Sequence, residues 1–285
     1  MAEPMHEGGC LCGGVRYRAG GAPLWVAHCH CESCRRHTGA VMTSFVGYLK
    51  PQVAFTRGTP LVHESSAGVW RRSCADCGTP LSYEATRSAG ETHLYLATLD
   101  QPAGIRPTLH VFTAEAVPWL EIDDGLPRYP GLSRDGTAAA AQPRPAPPQE
   151  FTGGCLCGAV RYRLAEPLTG VHLCHCRMCQ LALGSPFAGF GGLPETALRF
   201  TQGRPRLYRS SARARRGFCA DCGTPLTFQY DGKARIGVTL GSLDRPDAVR
   251  LEAHVGIESR FAWLRFADGL PERPTEGEAC GCGDG

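Results

Sequence analysis

An all-β fold is predicted for this chain by the pattern of its apolar residues and by its turn residues. Apolar side chains alternate with polar ones in short segments, as at Val15 and Tyr17 and again at Val53 and Phe55, and this period of two is typical of strands with one buried face. Glycine and proline recur at intervals of about 8–12 residues, as expected for short strands joined by turns. No long segment has the period of an amphipathic helix. Residues 114–120 are expected to form one helical turn, and residues 94–99 a buried strand.

The composition favours a soluble protein with room for two domains. The chain has 285 residues, of which 42% are hydrophobic and 20% charged, as in ordinary globular proteins. No apolar run approaches the roughly 18 residues that span a bilayer, and no signal peptide is evident, so we expect a cytoplasmic protein without a membrane partner. The 16 cysteines stand at close spacings that indicate metal ligands in a reducing compartment.

The chain is a tandem duplication. Residues 9–18 match residues 154–163 at nine of ten positions, and seven cysteines recur at an offset of 145. Beyond the last of these the offset is 144, and it aligns Trp119 with Trp263. Each copy is long enough for a domain of its own.

The duplication predicts the boundaries of the domains. The copies are assigned to residues 6–130 and 151–271, and the Ala- and Pro-rich segment 131–150 between them is typical of a semi-rigid linker. Residues 272–285 are expected to be a disordered tail, in which Cys280 and Cys282 have no partner pair and no assigned role.

Two cysteine pairs in each copy predict a closed zinc site. Cys74-Ala-Asp-Cys77 is a zinc knuckle, in which Gly78 allows the backbone to reverse. Together with a C-x-C pair it supplies the four thiolates of a structural site, which contributes roughly 10–16 kcal/mol of apparent binding free energy. The predicted ligands are Cys10, Cys12, Cys74 and Cys77 in the first copy and Cys155, Cys157, Cys219 and Cys222 in the second.

The remaining thiols form a C-x-C-x-x-C triplet in each copy: Cys29, Cys31 and Cys34, and Cys174, Cys176 and Cys179. Alternate residues of an extended segment face one side, and a turn brings the third thiol to the same centre. Three interpretations stay open. A histidine such as His28, His37 or His110 completes a second structural zinc site, the fourth position is open to water or a substrate sulfur, or all seven thiolates share a two-metal cluster.

The motifs Gly-Cys-x-Cys-Gly-x-Val-x-Tyr, Cys-His-Cys-x-x-Cys and Cys-x-x-Cys-Gly-Thr-Pro-Leu, followed by His-Val and by Trp ahead of Asp-Gly-Leu-Pro, resemble the glutathione-dependent formaldehyde-activating (GFA) family, which includes the centromere protein V domain. The resemblance implies two tandem β-tent domains of small antiparallel sheets tied together by zinc. It also implies that the quartets are structural and the triplets catalytic, with four zinc ions per chain.

The implied reaction is that of a carbon–sulfur lyase. It adds glutathione, the co-substrate, to formaldehyde or a small carbonyl compound, or runs in reverse, with the thiolate held at the three-cysteine zinc. Arg35 and Arg36 follow the first triplet and are the predicted substrate-binding residues, since arginine pairs bidentately with carboxylates. In the second copy Gln180 and Leu181 replace them, so we expect the first copy to be the active one and Arg213 or Arg215 to take part in anion capture in the second.

The alternative function is a non-catalytic zinc-stabilised binding module. Residues 1–150 carry 13 basic and 14 acidic side chains, whereas residues 151–285 carry 17 and 13. The excess lies in an arginine run at 204–216, through which nucleic acid or another anionic partner would bind.

The recurring histidines and tryptophans have less specific predictions. His30 and His175 are expected to point away from the metal, toward solvent or a partner behind the ligands. His110 and His254 are expected to be hydrogen-bonded core residues rather than catalytic bases, and Trp119 and Trp263 to be core anchors.

Overall fold

A computed structural model describes residues 4–133 and 151–275 and confirms the all-β class. Most of the predicted linker, residues 134–150, and the tail from residue 276 onward, with Cys280 and Cys282, lie outside the described residues.

The described part of the first copy contains ten strands and one α-helix. These are β1 Met5–Gly9, β2 Arg16–Gly20, β3 Trp25–Cys29, α1 Glu32–Thr38, β4 Thr43–Leu49, β5 Val53–Arg57, β6 Leu61–Ser66, β7 Val69–Ser73, β8 Pro80–Ala85, β9 Glu91–Tyr95 and β10 Leu109–Val111.

The described part of the second copy repeats this order and adds one short strand. Its elements are β11 Phe151–Gly154, β12 Arg161–Leu164, β13 Thr169–Cys174, α2 Arg177–Leu183, β14 Ala188–Pro194, β15 Leu198–Gln202, β16 Arg206–Ser211, β17 Ala214–Phe218, β18 Pro225–Tyr230, β19 Arg235–Thr239, β20 Ala253–Val255 and β21 Glu272–Arg273.

Each copy folds into one small and one large sheet. The small sheets have the orders β1-β2-β5 and β11-β12-β15, and the large sheets the orders β10-β3-β4-β9-β8-β7-β6 and β16-β17-β18-β19-β14-β13-β20-β21. Pairing is antiparallel except that β10 runs parallel to β3, and β20 parallel to β13 and β21. Glu272–Arg273 therefore belongs to a sheet, although the sequence assigned it to the tail.

Two local predictions differ from the structure. Residues 94–99 were expected to form one buried strand, but the strand ends at Tyr95 and a 3-10 turn follows over Leu96–Thr98. Periodicity alone does not separate a short buried strand from a buried helical turn. The helical turn expected within 114–120 lies at Thr113–Glu115, also as a 3-10 turn.

The copies pack against each other with pseudo-twofold symmetry. One buried apolar cluster contains residues of both, such as Leu94 in β9 and its counterpart Val238 in β19. Backbone contacts occur in reciprocal pairs: the amide of residue 123 donates to the carbonyl of residue 265, and the amide of residue 267 donates to that of residue 121. Equivalent surfaces thus contact each other, as at the interface of a symmetric dimer.

Candidate metal centres and the cavities beside them

The four outer thiols of each copy converge on one point. The Sγ atoms of Cys10 and Cys12 are 3.4 Å apart, and those of Cys12 and Cys74 are 3.6 Å apart. Zinc–sulfur bonds of about 2.3 Å in a tetrahedron place sulfur atoms about 3.8 Å from each other, so the quartet fits zinc. The corresponding Sγ separations in the second copy are 3.5 and 3.7 Å.

Backbone and hydroxyl donors surround the quartets. The amide of Val15 donates to Cys10 Sγ at 3.2 Å, and Cys77 Sγ lies 3.3 Å from the Thr79 hydroxyl. Gly78 has a φ of +76°, and a Cβ there would stand 2.5 Å from the ring of Phe218 in the other copy. Glycine is therefore required by both the knuckle and the contact between the copies.

The three inner thiols meet where a strand passes into a helix. Cys29 ends β3, and Cys31 is the N-cap of α1, with extended backbone and an Sγ that accepts the amide of Cys34 at 3.3 Å. This N-cap hydrogen bond brings the first turn of the helix back to the thiol. Cys176 caps α2 in the same way, at 3.4 Å from the amide of Cys179.

Each triplet is a separate group of three ligand atoms. Within the described residues, no histidine or carboxylate lies within 4.8 Å of all three sulfur atoms of Cys29, Cys31 and Cys34, or of Cys174, Cys176 and Cys179. His37 contacts Ser73 instead, at 3.5 Å. Among the three interpretations of the spacing, the geometry favours a three-thiol centre with an open position.

A buried arginine contacts the third thiol of each triplet. Arg71 is 1% exposed, and both of its terminal nitrogens lie 3.6 Å from Cys34 Sγ. It also donates to Ser33 Oγ at 2.8 Å. Arg216 occupies the equivalent position, with Nη2 at 3.4 Å from Cys179 Sγ.

The arginine and the thiols alter one another's protonation. The neighbouring thiols of Cys29 and Cys31 hydrogen-bond to Cys34 and, with Arg71, hold the pKa of Cys34 well below its usual value although burial opposes this. Burial alone would lower the pKa of Arg71, but the interactions with Cys34, Tyr95 and Cys31 together outweigh burial and raise the pKa. The cation thus offsets the excess negative charge that three thiolates leave around a divalent ion.

A cavity of about 550 Å³ opens beside the first triplet. Its wall contains Trp25, Tyr83 and His93, and His93 Nε2 lies 3.0 Å from a carboxylate oxygen of Glu91. Burial lowers the pKa of His93, and the contact with Glu91 opposes that shift. The site therefore offers a titratable imidazole in an aromatic pocket next to the thiols.

The second cavity is larger, about 820 Å³, and its chemistry differs. Trp25, His93 and Phe112 correspond to three glycines at residues 170, 237 and 256. Arg235 stands where the first copy has Glu91, so the second cavity gains a cation and lacks the imidazole–carboxylate pair.

Arg35 and Arg36 do not line the first cavity. Arg35 Nη1 donates to the backbone carbonyls of Gly241 and Leu243, at 2.8 and 2.9 Å, and Arg36 Nη2 pairs with Asp244 at 2.8 Å. Both guanidiniums thus bind the other copy, and the substrate-binding role expected from their position next to the triplet does not fit.

The second copy makes the same contact with a different residue. Arg177 donates to the carbonyls of Ala97 and Leu99, which are the counterparts of Gly241 and Leu243. Arg177 therefore makes the contact between the copies that Arg35 makes from the other side. It aligns with residue 32 of the first copy, three positions before Arg35.

Several arginines of the 204–216 run are held within the fold. Arg206 donates to the carbonyl of Ala75 at 3.0 Å, Arg209 pairs with Asp231 at 2.7 Å, and Arg216 is buried at the triplet. Arg215 donates to the Gln229 side chain at 2.8 Å. The run is spread over both faces of the β16–β17 hairpin.

The recurring histidines form a buried hydrogen-bonded chain. His30 Nε2 lies 2.8 Å from His110 Nδ1, and His110 Nε2 lies 2.7 Å from Asp124 Oδ2. The second copy repeats the chain with 3.0 Å at both steps. The expectation that His110 and His254 are hydrogen-bonded core residues is confirmed, and His30 and His175 face these partners rather than solvent. Burial lowers the pKa of His30 and of His175 to about 3.

Comparison with known proteins identifies the family. The model of the glutathione-dependent formaldehyde-activating enzyme family matches residues 5–115 and 150–259. The chain belongs to this family. One matched region falls on each copy, so the duplication is a duplication of the GFA domain.

Two further similarities each cover less than half of the chain. An uncharacterized lyase of Schizosaccharomyces pombe is 29% identical over 120 residues, which are 42% of this chain and 87% of that protein. A Rhodobacter sphaeroides protein of known crystal structure is 28% identical to this chain. The match covers 33% of this chain and 87% of that chain, with a TM-score of 0.28. Within the described residues, no helix is long and apolar enough to cross a membrane.

Sequence reasoning found the GFA cysteines but missed Arg71, Arg216 and the pair of His93 with Glu91. Arg71 is separated from Cys34 by 37 positions, and no short motif links them. One signal was available: Arg71 recurs as Arg216, and in each copy this arginine lies between the three-cysteine motif and the C-x-x-C knuckle.

Proposed function

We propose that this protein is a zinc-dependent carbon–sulfur lyase of GFA type, which adds glutathione or a similar thiol to formaldehyde or another small carbonyl compound, or catalyses the reverse cleavage. The observation that carries the proposal is the convergence of three thiols, without a fourth protein ligand among the described residues, at the wall of a cavity. The catalytic centre is assigned to Cys29, Cys31 and Cys34, and in the second copy to Cys174, Cys176 and Cys179. The two quartets are assigned to structural zinc.

A zinc ion at the triplet would stabilise a substrate thiol as the thiolate, which is the nucleophilic form. Arg71 supports this by placing a buried positive charge against Cys34. A thiol that arrives at the open position brings further negative charge, and the guanidinium lowers the cost of burying it. Ser33 and Tyr95 hold Arg71 in place, with contacts of 2.8 and 3.4 Å.

Addition to the carbonyl requires that a proton move from sulfur to oxygen. The carbon–sulfur bond forms as the C=O π electrons move to oxygen, which then takes a proton. His93 is the assigned carrier, because it lines the same cavity and is oriented by Glu91 at 3.0 Å. General acid–base catalysis of this kind contributes about 10²–10⁴-fold.

This assignment makes the first copy the active one. The second copy keeps the triplet and the buried arginine but has Gly237 at the position of His93. Its wider, more basic cavity retains a thiol-binding centre without the proton carrier.

The test measures adduct formation between glutathione and formaldehyde by exchange NMR, relative to the uncatalysed reaction. Cys31→Ala is expected to abolish the enzymatic rate, and Cys176→Ala to leave most of it. His93→Gly, which installs the residue of the second copy, is expected to lower the rate by about 10²-fold or more.

A matched control is His172→Gly, which removes a histidine from the second cavity and should leave the rate unchanged. A wild-type rate equal to the uncatalysed one would refute the lyase. Equal losses for Cys31→Ala and Cys176→Ala would refute the assignment to the first copy and leave the reaction class standing.

A further inference from the structure

Besides the four groups of thiols, the described residues contain one further group of potential metal ligands, in the first copy. One ligand atom each of His28, His110 and Asp124 lies within 4.8 Å of the other two. Both imidazoles are fully buried, and the Asp124 side chain is 6% exposed. Two imidazoles and one carboxylate form a ligand set that binds divalent transition metals with open positions.

The hydrogen-bond chain described above does not require His28. In the second copy Leu173 stands at this position, and the chain from His175 through His254 to Asp268 is complete without it. His28 is therefore an addition peculiar to the first copy. Its Nδ1 lies 2.8 Å from Ser44 Oγ, whereas its buried Nε2 has no hydrogen-bond partner among the described residues.

The unpartnered nitrogen is directed at the same carboxylate oxygen that His110 contacts. His28 Nε2 lies 3.9 Å from Asp124 Oδ2, and His110 Nε2 lies 2.7 Å from it. Metal–ligand bonds of about 2.0–2.1 Å in a tetrahedron separate ligand atoms by about 3.3 Å. Each of the two separations must change by about 0.6 Å to reach this value, which side-chain rotation supplies.

The side chains that would hold the two histidine ligands in position are already in place. Ser44 orients His28, and His30 accepts or donates at His110 Nδ1. Metal-ligating histidines ordinarily have their second nitrogen fixed in this manner. The other oxygen of Asp124 accepts the amide of Leu126 at 3.1 Å.

The group borders a cavity at the junction of the two copies. His28 and Asp124 line a cavity of about 420 Å³, whose wall also contains Arg106, Trp263 and Arg265. Water or a small anion, which the arginines would favour, can fill the remaining coordination position.

We propose that His28, His110 and Asp124 bind a divalent transition-metal ion, such as Zn²⁺ or Co²⁺, in the first copy only. The carboxylate neutralises part of the ion's charge, and His110 binds through Nε2 as the neutral tautomer, with its proton on Nδ1 toward His30. This site is independent of the thiol centres and of the lyase reaction.

The experiment titrates Co²⁺ into the full-length protein after its thiolate sites have been filled with zinc. The wild type is expected to bind one further equivalent, with the absorption of nitrogen- and oxygen-ligated Co²⁺ and without a thiolate charge-transfer band. The double variant His28→Leu with Ser44→Gly reproduces the residues Leu173 and Gly189 of the second copy and is expected to bind none.

A second pair of variants separates the site from general damage to the fold. Asp124→Asn should weaken Co²⁺ binding by about tenfold or more, whereas Asp268→Asn, its counterpart in the second copy, should leave it unchanged. The absence of a further equivalent in the wild type would overturn the proposal. So would equal binding by the double variant, or equal effects of the two asparagine substitutions.

Discussion

Arg35 provides the sharpest distinction between a structural and a substrate-binding role. Its Nη1 donates to two carbonyls of the other copy, at 2.8 and 2.9 Å, and the side chain is 5% exposed. Arg35→Ala leaves both carbonyls buried without their donor. Each such loss costs about 1–3 kcal/mol, so the loss of both should lower the free energy of unfolding by about 2–6 kcal/mol.

The pseudo-symmetry predicts the same loss at the other end of the interface. Arg177→Ala removes the donor to the carbonyls of Ala97 and Leu99, and its cost should agree with that of Arg35→Ala within about 1 kcal/mol, since single contacts vary by that much with context. Chemical denaturation of the zinc-loaded protein, followed by tryptophan fluorescence, measures both. Arg18→Ala, at an exposed position of β2, is the control and should change stability by less than about 0.5 kcal/mol.

The result that refutes this reasoning is a stable but inactive Arg35→Ala protein. Unchanged stability with a raised KM for glutathione would return Arg35 to the substrate-binding role expected from the sequence. Reduced stability with unchanged KM supports the interface.

Three other predictions concern the fold. Burial alone would raise the pKa of Asp244, but the hydrogen bonds from Arg161, Thr152 and Arg36 together outweigh burial and lower the pKa. The stabilisation by Asp244 is therefore present above about pH 4 and is lost as the pH falls through the lowered pKa. Acid titration followed by circular dichroism should show a steeper loss for the wild type than for Asp244→Asn. Gly39 and Gly232 have φ of +66° and +69°, but of the two only Gly39 has a carbonyl oxygen, at 2.4 Å, in the way of an added Cβ. Gly39→Ala should therefore destabilise the protein by about 1–3 kcal/mol more than Gly232→Ala, as measured by chemical denaturation. Removal of zinc from the quartets by a chelator should lower the melting temperature of both copies together, because one apolar core joins them. Calorimetry measures this, and two separate transitions would contradict a shared core.

The convergence of the thiols was predictable from the sequence because the spacing that brings them together is local. Cys74 and Cys77, and Cys29 and Cys31, are placed by spacing on a tight turn and an extended segment, and the structure brings these thiols together as expected. Duplication reinforced the prediction, because the same spacing occurs at an offset of 145.

The side chains that surround the thiols were not predictable in the same way. Arg35 and Arg36 follow Cys34 in sequence, but successive residues of a helix turn by about 100°, so α1 directs them to the other copy. Arg71 lies in β7, 37 positions after Cys34, and reaches this thiol only because the fold brings β7 next to the triplet. Such placements depend on sheet order and on the contact between the copies, which no spacing encodes.

The central claim is that each triplet leaves a coordination position for a substrate sulfur. The most direct test is a crystal structure of the zinc-loaded protein with glutathione bound. We predict that the glutathione sulfur completes the shell formed by Cys29, Cys31 and Cys34, with Arg71 next to it. A fourth protein ligand at that zinc, with glutathione elsewhere or absent at saturating concentration, would contradict the account.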